Sequence, residues 1–385
     1  MKLSSMETRL ISNKIYPCAI VGGGLGGLCL AIQLAQQGVE VILFEKNNYP
    51  QHKVCGEYIS MESWGFLTDL GVELDTLNLP KITQLGISSE NGFMLNSRLP
   101  LGGFGISRYS LDHVLCQIAR THGVVVHENC KVLDVQNMGG HLSEITTSQG
   151  KYLAKIVCGS FGKYAPNFAK SSVETSIKRP NYIGVKYHIQ TDLPANRIEL
   201  HNFKDGYCGI SKVDNERYCL CYLSKSTNLQ QSGNDIKTME HALLYKNPFL
   251  KNYFTQSTFL FEKPLVISNV YFHPKDTYMN GMFMVGDAAG AITPLCGNGM
   301  SMAMRASKIL ATLLTLYFKE NLKKQDLISR YNAVWKDNFN TRIWAGQYLQ
   351  LLFGKKTSTQ LALKTLHYFP SVTQKLIGLT HGKPF

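Results

Sequence analysis

A glycine-rich turn near the start of the chain constrains the fold more than any other feature. The apolar segment 15–21 has the composition of a short buried strand and runs directly into the turn Gly22-Gly23-Gly24-Leu25-Gly26-Gly27. A segment with helical spacing, Leu28 to Gln37, follows, and a second strand, Val39 to Phe44, ends at Glu45. This succession of strand, turn, helix, strand and acid is the complete dinucleotide-binding unit.

The residue types in this unit match what a dinucleotide requires. Gly22 permits the tight turn, Gly24 lets the backbone approach a pyrophosphate, and Gly27 lets the helix pack on the strand. Glu45, 18 residues after Gly27, accepts the adenosine ribose hydroxyls, while the helix N-terminus faces the phosphates. We include Gly26 and Lys46 in this predicted site. Five glycines in six positions also argue against a membrane helix here.

A second motif separates FAD from NAD. The apolar segment Gly281 to Val285 is followed by Gly286-Asp287-Ala288-Ala289-Gly290, then by Pro294 and by Gly297-Asn298-Gly299-Met300. An Asp at a strand end can accept from a ribityl hydroxyl, and small residues let backbone amides reach the flavin edge. An apolar helix is predicted from about Ser301 to Phe318. If its first turn begins near Asn298, the positive end of its dipole would face the negative charge of a reduced flavin.

Together the two motifs resemble those of the FAD-dependent oxidoreductases of the para-hydroxybenzoate hydroxylase superfamily, in its geranylgeranyl reductase-like and FAD-dependent monooxygenase branch. The resemblance runs over about residues 15–320. It implies an α/β fold in which a Rossmann-type FAD-binding domain is interrupted by a mostly antiparallel β-sheet substrate domain, with C-terminal helices. The expected boundaries are 14–80, 104–165 and 270–320 for the FAD domain, 81–103 and 166–269 for the substrate domain, and 321–385 for the helical region.

Two further segments match this superfamily. Lys53-Val54-Cys55-Gly56 resembles a segment that lies beside the flavin in geranylgeranyl reductase-like proteins, so Cys55 is a candidate catalytic residue as well as a cofactor contact. The alternative is a buried structural cysteine next to a turn glycine. Arg108 begins an R-x-x-L-D pattern, which by resemblance places its guanidinium near the cofactor phosphates or ribityl chain. Ser110 and Asp112 acting only as helix-start residues is the competing interpretation.

The sequence also departs from its relatives. Residues 159–163 lack the Asp-Gly that contacts FAD and NAD(P)H in many aromatic hydroxylases, and no second G-x-G-x-x-G exists. We therefore expect NAD(P)H as an electron donor that binds only transiently. The prenyl reductase pattern Y-x-W-x-x-F-P is reduced to Tyr207, a second catalytic candidate. The halogenase pattern G-W-x-W-x-I-P is missing.

The middle of the chain alternates apolar and polar residues at strand period, for example in 183–189 and 217–223, with a helix expected around 237–246. This stretch would form the substrate-domain sheet. Its polar aromatic residues are candidates to orient a substrate, and packing is the alternative role for each of them: Tyr187, His188, Tyr207 and Tyr218.

Positive charge is concentrated at the end of the chain. Residues 321–385 contain ten Lys or Arg and two Asp, a net +8 of the +13 of the whole protein. An apolar stripe at helical spacing predicts one helix through Tyr331, Trp335, Phe339 and Ile343, and a second is predicted from Thr359 to Tyr368. We expect these helices to cap the substrate domain. Two interpretations of their basic face remain, a solvated surface or peripheral contact with a membrane.

Several classes of protein are excluded or disfavoured. The sequence has no K/R-rich run or RNA-binding signature, so no nucleic-acid partner is expected. The ten cysteines show neither C-x-x-C nor metal-ligand spacing, which predicts free thiols, no metal and a reducing compartment. The first fourteen residues lack the apolar core of a signal peptide, so we expect a cytoplasmic protein. We expect it to be a monomer or a homodimer.

The predicted function is an FAD-dependent monooxygenase, a hydroxylase of a hydrophobic aromatic or isoprenoid-like small molecule in secondary-metabolite or lipid biosynthesis. Such a protein binds, orients and shields its substrate, while the cofactor carries the difficult chemistry. The alternatives are an FAD-dependent reductase of carbon–carbon double bonds and a non-catalytic flavin-binding sensor.

Overall fold

The computed structural model of the protein describes residues 10–139, 141–169, 181–270, 275–293, 295, 297–320 and 322–385. The strands are β1 (Leu10–Val21), β2 (Val41–Phe44), β3 (Tyr58–Ser60), β4 (Lys81–Ser88), β5 (Met94–Gly105), β6 (Val125–His127), β7 (Val132–Gly139), β8 (Leu142–Thr147), β9 (Gly150–Gly159), β10 (Tyr182–Gln190), β11 (Arg197–Phe203), β12 (Gly206–Lys212), β13 (Tyr218–Lys225), β14 (Thr258–Phe259), β15 (Leu265–Val270), β16 (Tyr278–Met279) and β17 (Met282–Met284). The α-helices are α1 (Leu25–Gln36), α2 (Trp64–Asp69), α3 (Arg108–Thr121), α4 (Ser226–Gln231), α5 (Ile236–Leu243), α6 (Pro248–Gln256), α7 (Gly299–Glu320), α8 (Lys324–Leu352), α9 (Lys356–Tyr368) and α10 (Pro370–Gly378).

The first sheet is the nucleotide-binding sheet. Its strands run in the order β16-β17-β9-β1-β2-β6, and β1 pairs in parallel with both β2 and β9. A ribbon formed by β7 and β8 continues antiparallel from β9. Helix α1 lies against α3 and α7, and apolar side chains such as Ile20, Leu28 and Leu43 are completely buried between the layers. This arrangement confirms the Rossmann-type domain that the glycine-rich turn predicts.

The second sheet is mostly antiparallel, as expected. Its order is β14-β10-β13-β12-β11-β4-β5-β3, with β15 also paired to β10, and only β11 and β4 among its neighbours run parallel. One face packs on α5 and α6 through a core that includes Val185, Leu220, Tyr222 and Met239. Strands β3, β4 and β5 extend this sheet toward the nucleotide-binding sheet, so the two sheets share one boundary.

The C-terminal helices divide between the two sheets, which differs from the expected arrangement. Helix α8 packs on α7, and Tyr331, Trp335 and Phe339 lie in the core of the nucleotide-binding sheet. Helices α9 and α10 lie on the second sheet, against β5, and Leu349 near the end of α8 also packs on this sheet, next to Tyr207 and Leu223. Helix α9 ends at Tyr368, as the predicted helix does, and Pro370 begins a further helix, α10, that was not predicted, because proline fits the first turn of a helix where no amide donor is needed. None of the described helices has the length and apolar character needed to cross a membrane.

Candidate active site

The turn between β1 and α1 leaves no room for side chains at its first and last glycines. Gly22 has φ +106°, and a Cβ there would lie 2.4 Å from the carbonyl oxygen of Ser160. A Cβ on Gly27 would lie 2.2 Å from the carbonyl oxygen of Gly22. The turn is therefore held tightly between β1, β9 and α1, while Gly22, Gly24 and Gly26 line a cavity. This is the cradle that a pyrophosphate requires.

The carboxylate of Glu45 lies at the end of β2 and contacts the same turn. One of its oxygens accepts from the amide of Gly23 at 2.9 Å, and the other accepts from the amide of Asn47 at 3.1 Å. Two carboxylate oxygens have about four lone-pair sites, so acceptor capacity remains for ribose hydroxyls. Glu45 and Lys46 both line the cavity. The residues of this end fit the adenosine half of FAD.

The second motif lines the same cavity as the glycine-rich turn and lies next to it, since the Cβ position of Gly26 is 3.1 Å from the Val285 side chain. Gly286, with φ +65°, and Asp287 form a short turn after β17, and Gly297, Gly299 and Met300 line the cavity where α7 begins. These small residues fit the approach of a flavin edge to backbone amides. Pro294, also predicted here, lies outside the described residues.

Asn298 is placed differently from the expectation. Its side chain is fully buried, and its amide nitrogen donates to the carbonyl oxygen of Thr380. The side chain therefore joins α7 to the chain beyond α10 and is not part of the cavity wall. The resemblance of residues 297–300 to the family motif could not predict this hydrogen bond, because Thr380 lies 82 residues further along the chain.

Arg108 lies in the cleft, but its guanidinium fork is paired within the protein. Its Nε and Nη2 donate to the two carboxylate oxygens of Asp112, each at 2.7 Å, and Lys53 Nζ lies 3.1 Å from the same carboxylate. Burial would raise the pKa of Asp112, yet the charges of Arg108 and Lys53 outweigh burial and lower that pKa. Asp112 is thus more than a helix-start residue, since it holds both cations beside the cavity that they line.

Cys55 lies in the cavity wall between the two sheets, next to Gly56. Its thiol contacts the Met300 sulfur at 3.7 Å, and its carbonyl oxygen accepts from the buried thiol of Cys219 at 3.2 Å. The contact with Met300 places Cys55 at the end of the cleft where the flavin motif lies. The position agrees with the resemblance and leaves the role of the thiol as a prediction.

Glu57 holds the Cys55 segment in place through three donors. It has φ +56°, a conformation that L-residues rarely adopt. Its carboxylate accepts from the Arg108 amide at 2.8 Å, from Lys186 Nζ at 2.5 Å and from His188 Nε2 at 2.6 Å. Burial would raise the pKa of Glu57, but the His188 hydrogen bond and the Lys186 charge outweigh it and lower that pKa to about 2.

Glu57, His188 and Cys219 also resemble a metal-binding set, since their potential ligand atoms all lie within 4.8 Å of one another. The ammonium of Lys186 belongs to the same cluster and donates to the carboxylate, and also to the carbonyl oxygen of Lys53 at 3.1 Å. A fixed positive charge repels a divalent cation and already neutralises its anionic ligand. The cluster is therefore a buried ion pair, and we assign no metal to it.

The cavity has a volume of about 910 Å³ and continues from the cofactor cleft into an apolar chamber. Strands β4, β5 and β11 form one wall of this chamber, and the inner faces of α9 and α10 form the other. Thr359 and Thr373 also line the chamber, and its other residues on these elements are aliphatic: Leu85, Ile87, Leu95, Leu99, Ile198, Leu200, Ala362, Leu363, Leu366, Leu376 and Ile377.

The four polar aromatic candidates differ in whether they line the cavity. Only Tyr207 lines the cavity. Tyr187 donates to Glu240 at 2.9 Å, His188 contacts Glu57, and Tyr218 donates to the carbonyl oxygen of Leu193 at 2.5 Å. These three are part of the packing, which was the stated alternative for each.

Two further residues of the cavity wall, His52 and Tyr58, were not singled out by the sequence reasoning. Burial, followed by the positive charge of Lys186, lowers the pKa of His52 to about 4, so its imidazole is neutral near pH 7. The Tyr58 ring lies against Gly297, where a Cβ would be 3.0 Å from its Cδ1. Both residues flank the Lys53–Gly56 segment in the sequence, and this proximity could have indicated their place in the cavity wall.

Two family models match the chain. Residues 20–72 match the NAD(P)-binding Rossmann-like domain, and residues 217–344 match Squalene epoxidase. The second match spans β13 to α8 and so includes the flavin motif. Together with the two-part cleft, these matches support the resemblance that the motifs carry. The chain is an FAD-dependent oxidoreductase with the motifs of the para-hydroxybenzoate hydroxylase superfamily.

The individual proteins similar to this chain include a receptor and a reductase. The flavoprotein is 26% identical over 355 residues to Conditioned medium factor receptor 1 of Dictyostelium discoideum, covering 84% of this chain and 68% of that protein. It is 22% identical over 337 residues to digeranylgeranylglycerophospholipid reductase of Methanocaldococcus jannaschii, covering 84% and 83%. A flavin-dependent brominase has the same fold, with a TM-score of 0.78 at 15% identity over 95% of this chain and 93% of that chain.

Gly27→Ala should abolish retention of FAD by the flavoprotein and destabilise it by roughly 1–3 kcal/mol, because the new methyl overlaps the Gly22 carbonyl. Gly65→Ala is the matched control, since Gly65 is also helical but has nothing within 4 Å of its Cβ position. That variant should keep FAD and gain up to about 1 kcal/mol. Flavin absorbance per protein and urea unfolding measure both effects. Equal flavin content in the two variants would contradict the assignment.

Lys186→Met should destabilise the flavoprotein by about 3–5 kcal/mol, because it leaves the buried Glu57 carboxylate without its cation. The double variant Glu57→Gln, Lys186→Met should recover much of that loss, since it removes both charges. Urea unfolding of the unchanged protein, Glu57→Gln, Lys186→Met and the double variant gives the coupling free energy between the two side chains. The visible spectrum of bound FAD reports any displacement of the Cys55 segment. A double variant as unstable as the sum of its single changes would show that the two side chains are not coupled.

Proposed function

We propose that this oxidoreductase is a monooxygenase that hydroxylates or epoxidises a hydrophobic small molecule, of aromatic or isoprenoid-like character. The observation that carries the proposal is the continuity of one cavity from the flavin motif into the apolar chamber. A substrate bound in the chamber presents one end to the flavin edge, and its remainder contacts aliphatic side chains.

The chamber favours apolar substrates for a physical reason. Burial of apolar surface contributes roughly 25 cal/mol per Å², so an aliphatic wall favours ligands that have few polar groups in need of hydrogen-bond partners. No charged side chain is among the chamber residues defined above. A substrate that carried a charge deep in the chamber would lose its hydration without compensation. Polar groups of the substrate are therefore expected at the flavin end.

The protein's part in the reaction is to bind, orient and exclude water. Gly22, Gly24 and Glu45 would hold the adenosine and pyrophosphate of FAD, and Asp287 would accept a hydrogen bond from its ribityl chain. FAD, when bound and reduced by NAD(P)H, would supply the electrons that activate oxygen. The second sheet and α9 enclose the remainder of the substrate in the chamber, which limits the entry of water to the reacting end. The match of residues 217–344 to Squalene epoxidase supports oxygen insertion over other flavin reactions.

A second candidate, reduction of a carbon–carbon double bond, is favoured by Cys55. The thiol lines the cavity beside Met300, and the M. jannaschii relative is named as a reductase of digeranylgeranylglycerophospholipid. In that reaction a proton and a hydride are added across the double bond, and a thiol at the cavity wall can supply the proton. Oxygen is not consumed.

Oxygen dependence separates the two reactions. The FAD-loaded protein is incubated with NADPH or NADH and a panel of aromatic and isoprenoid compounds, in isotope-labelled O₂ and under anaerobic conditions. A monooxygenase should give a product that carries one labelled oxygen atom, and no product without oxygen. A saturated product formed anaerobically, and lost in Cys55→Ser, would overturn the monooxygenase assignment and establish the reductase.

Ala362→Phe should raise the KM for the substrate roughly tenfold with unchanged FAD content, because a phenyl ring would fill chamber space and overpacking costs ~1–3 kcal/mol. Leu361→Phe is the control, since Leu361 is on the same helix but points to solvent. Steady-state kinetics with the active compound measure both. An unchanged KM in Ala362→Phe would show that the chamber does not receive the substrate.

A further inference from the structure

We propose that the α9–α10 hairpin docks on the surface of a bilayer that contains anionic phospholipids. The hairpin consists of α9, the connection at Phe369, and α10. Its inner face closes the apolar chamber, and its outer face carries exposed apolar and basic side chains. This inference goes beyond the proposed reaction and does not depend on which reaction is catalysed.

The outer face of the hairpin is apolar to an unusual degree for solvent contact. Leu361 is 67% exposed, Tyr368 78% and Phe369 57%, and Val372 and Leu379 continue the face along α10. Single exposed apolar residues are common, but here five lie within 19 residues on one helical hairpin, and along each helix two of them are seven residues apart and so share a face. The inner face is the opposite, since Thr359, Leu363 and Thr373 are buried. Each helix therefore has two distinct faces, as an interfacial helix requires.

The charge of the region complements anionic lipid. Residues 338–385 contain six Lys or Arg and no Asp or Glu. Lys364 and Lys375 lie exposed among the apolar side chains, and within the ranges that the structure describes neither forms an ion pair. Strand β5, under the hairpin, adds the exposed Arg98 and no acidic residue. The nearest ion pair is between Lys356 and Glu90, at 4.0 Å, at the start of α9.

This combination distinguishes a bilayer from other occupants. A second copy of the chain docked symmetrically would bring the same lysines together, which costs free energy. A nucleic acid would contact the cations but would leave the exposed aliphatic and aromatic side chains without partners. A bilayer surface satisfies both groups, because lysines contact the phosphate headgroups while aromatic and aliphatic side chains enter the interface.

The position of the hairpin gives the contact a consequence for substrate access. The wall between the outer face and the apolar chamber is one helix thick, because Leu361 and Tyr368 are exposed while Leu363 and Leu366 line the chamber. A docked hairpin would place the chamber directly above the lipid interface. A sparingly soluble compound dissolved in the bilayer could then reach the chamber without crossing water.

Vesicle binding by the FAD-loaded protein tests the proposal without any turnover. The protein is sedimented with vesicles of equimolar phosphatidylcholine and phosphatidylserine, and with phosphatidylcholine alone, at low and high salt. We expect binding to the anionic vesicles that weakens with salt. Lys364→Gln, Lys375→Gln should weaken it roughly 25-fold, at about fivefold for each lysine. Tyr368→Ser, Phe369→Ser should weaken it about tenfold.

The matched control is Lys237→Gln, Lys251→Gln, which removes the same charge from exposed positions on α5 and α6. It should bind as the unchanged protein does. Equal loss in this control would show that net charge alone causes binding and would overturn the assignment to the hairpin. Failure of the unchanged protein to bind anionic vesicles would also overturn it. So would a dimer in solution that Phe369→Ser converts to monomer, since a second copy would then cover the face.

Discussion

The buried carboxylate of Glu57 is the interaction on which the arrangement of the site depends. It joins the first amide of α3, in the nucleotide-binding domain, to Lys186 and His188 on β10 of the second sheet. The segment carrying Cys55 is thereby fixed between the two sheets. A buried charge without partners would cost several kcal/mol, so the three donors must be in place together. Asp214, which follows β12, reinforces the same junction by accepting from the amide and hydroxyl of Ser107 at the start of α3.

The cofactor cleft was predictable from the sequence because its determinants are local. The steric requirement at Gly22 and Gly27 and the acid at Glu45 lie within 24 residues, and spacing alone specifies their geometry. The Glu57 cluster was not predictable in the same way. Its donors come from a strand about 130 residues further on, and strand period shows which residues share a face but not what that face contacts. The same limit applies to α8, whose apolar stripe was evident but whose partner was not.

Arg108 shows how a motif residue can be predicted in position but not in its bonding. A guanidinium fork suits phosphate oxygens and carboxylates equally, because both offer two acceptors in one plane. Asp112, one helical turn further along α3, satisfies that fork at 2.7 Å on both sides. The resulting pair is a rigid, partly neutralised group in the cavity wall. Its fixed orientation is better suited to positioning the neighbouring Lys53 than to clamping a phosphate by itself.

The chamber and the hairpin are two consequences of one helical periodicity. In α9, residues three or four apart share one face, so Thr359, Leu363 and Leu366 line the chamber while Leu361, Lys364 and Tyr368 face outward. Ordinarily the outward side of such a helix is polar, because water is its only partner. Here both sides carry large apolar residues, and only the outer one adds lysines. A helix that is apolar on both sides and basic on one suits the lipid contact that we propose, because an anionic lipid interface offers an apolar environment together with the opposite charge.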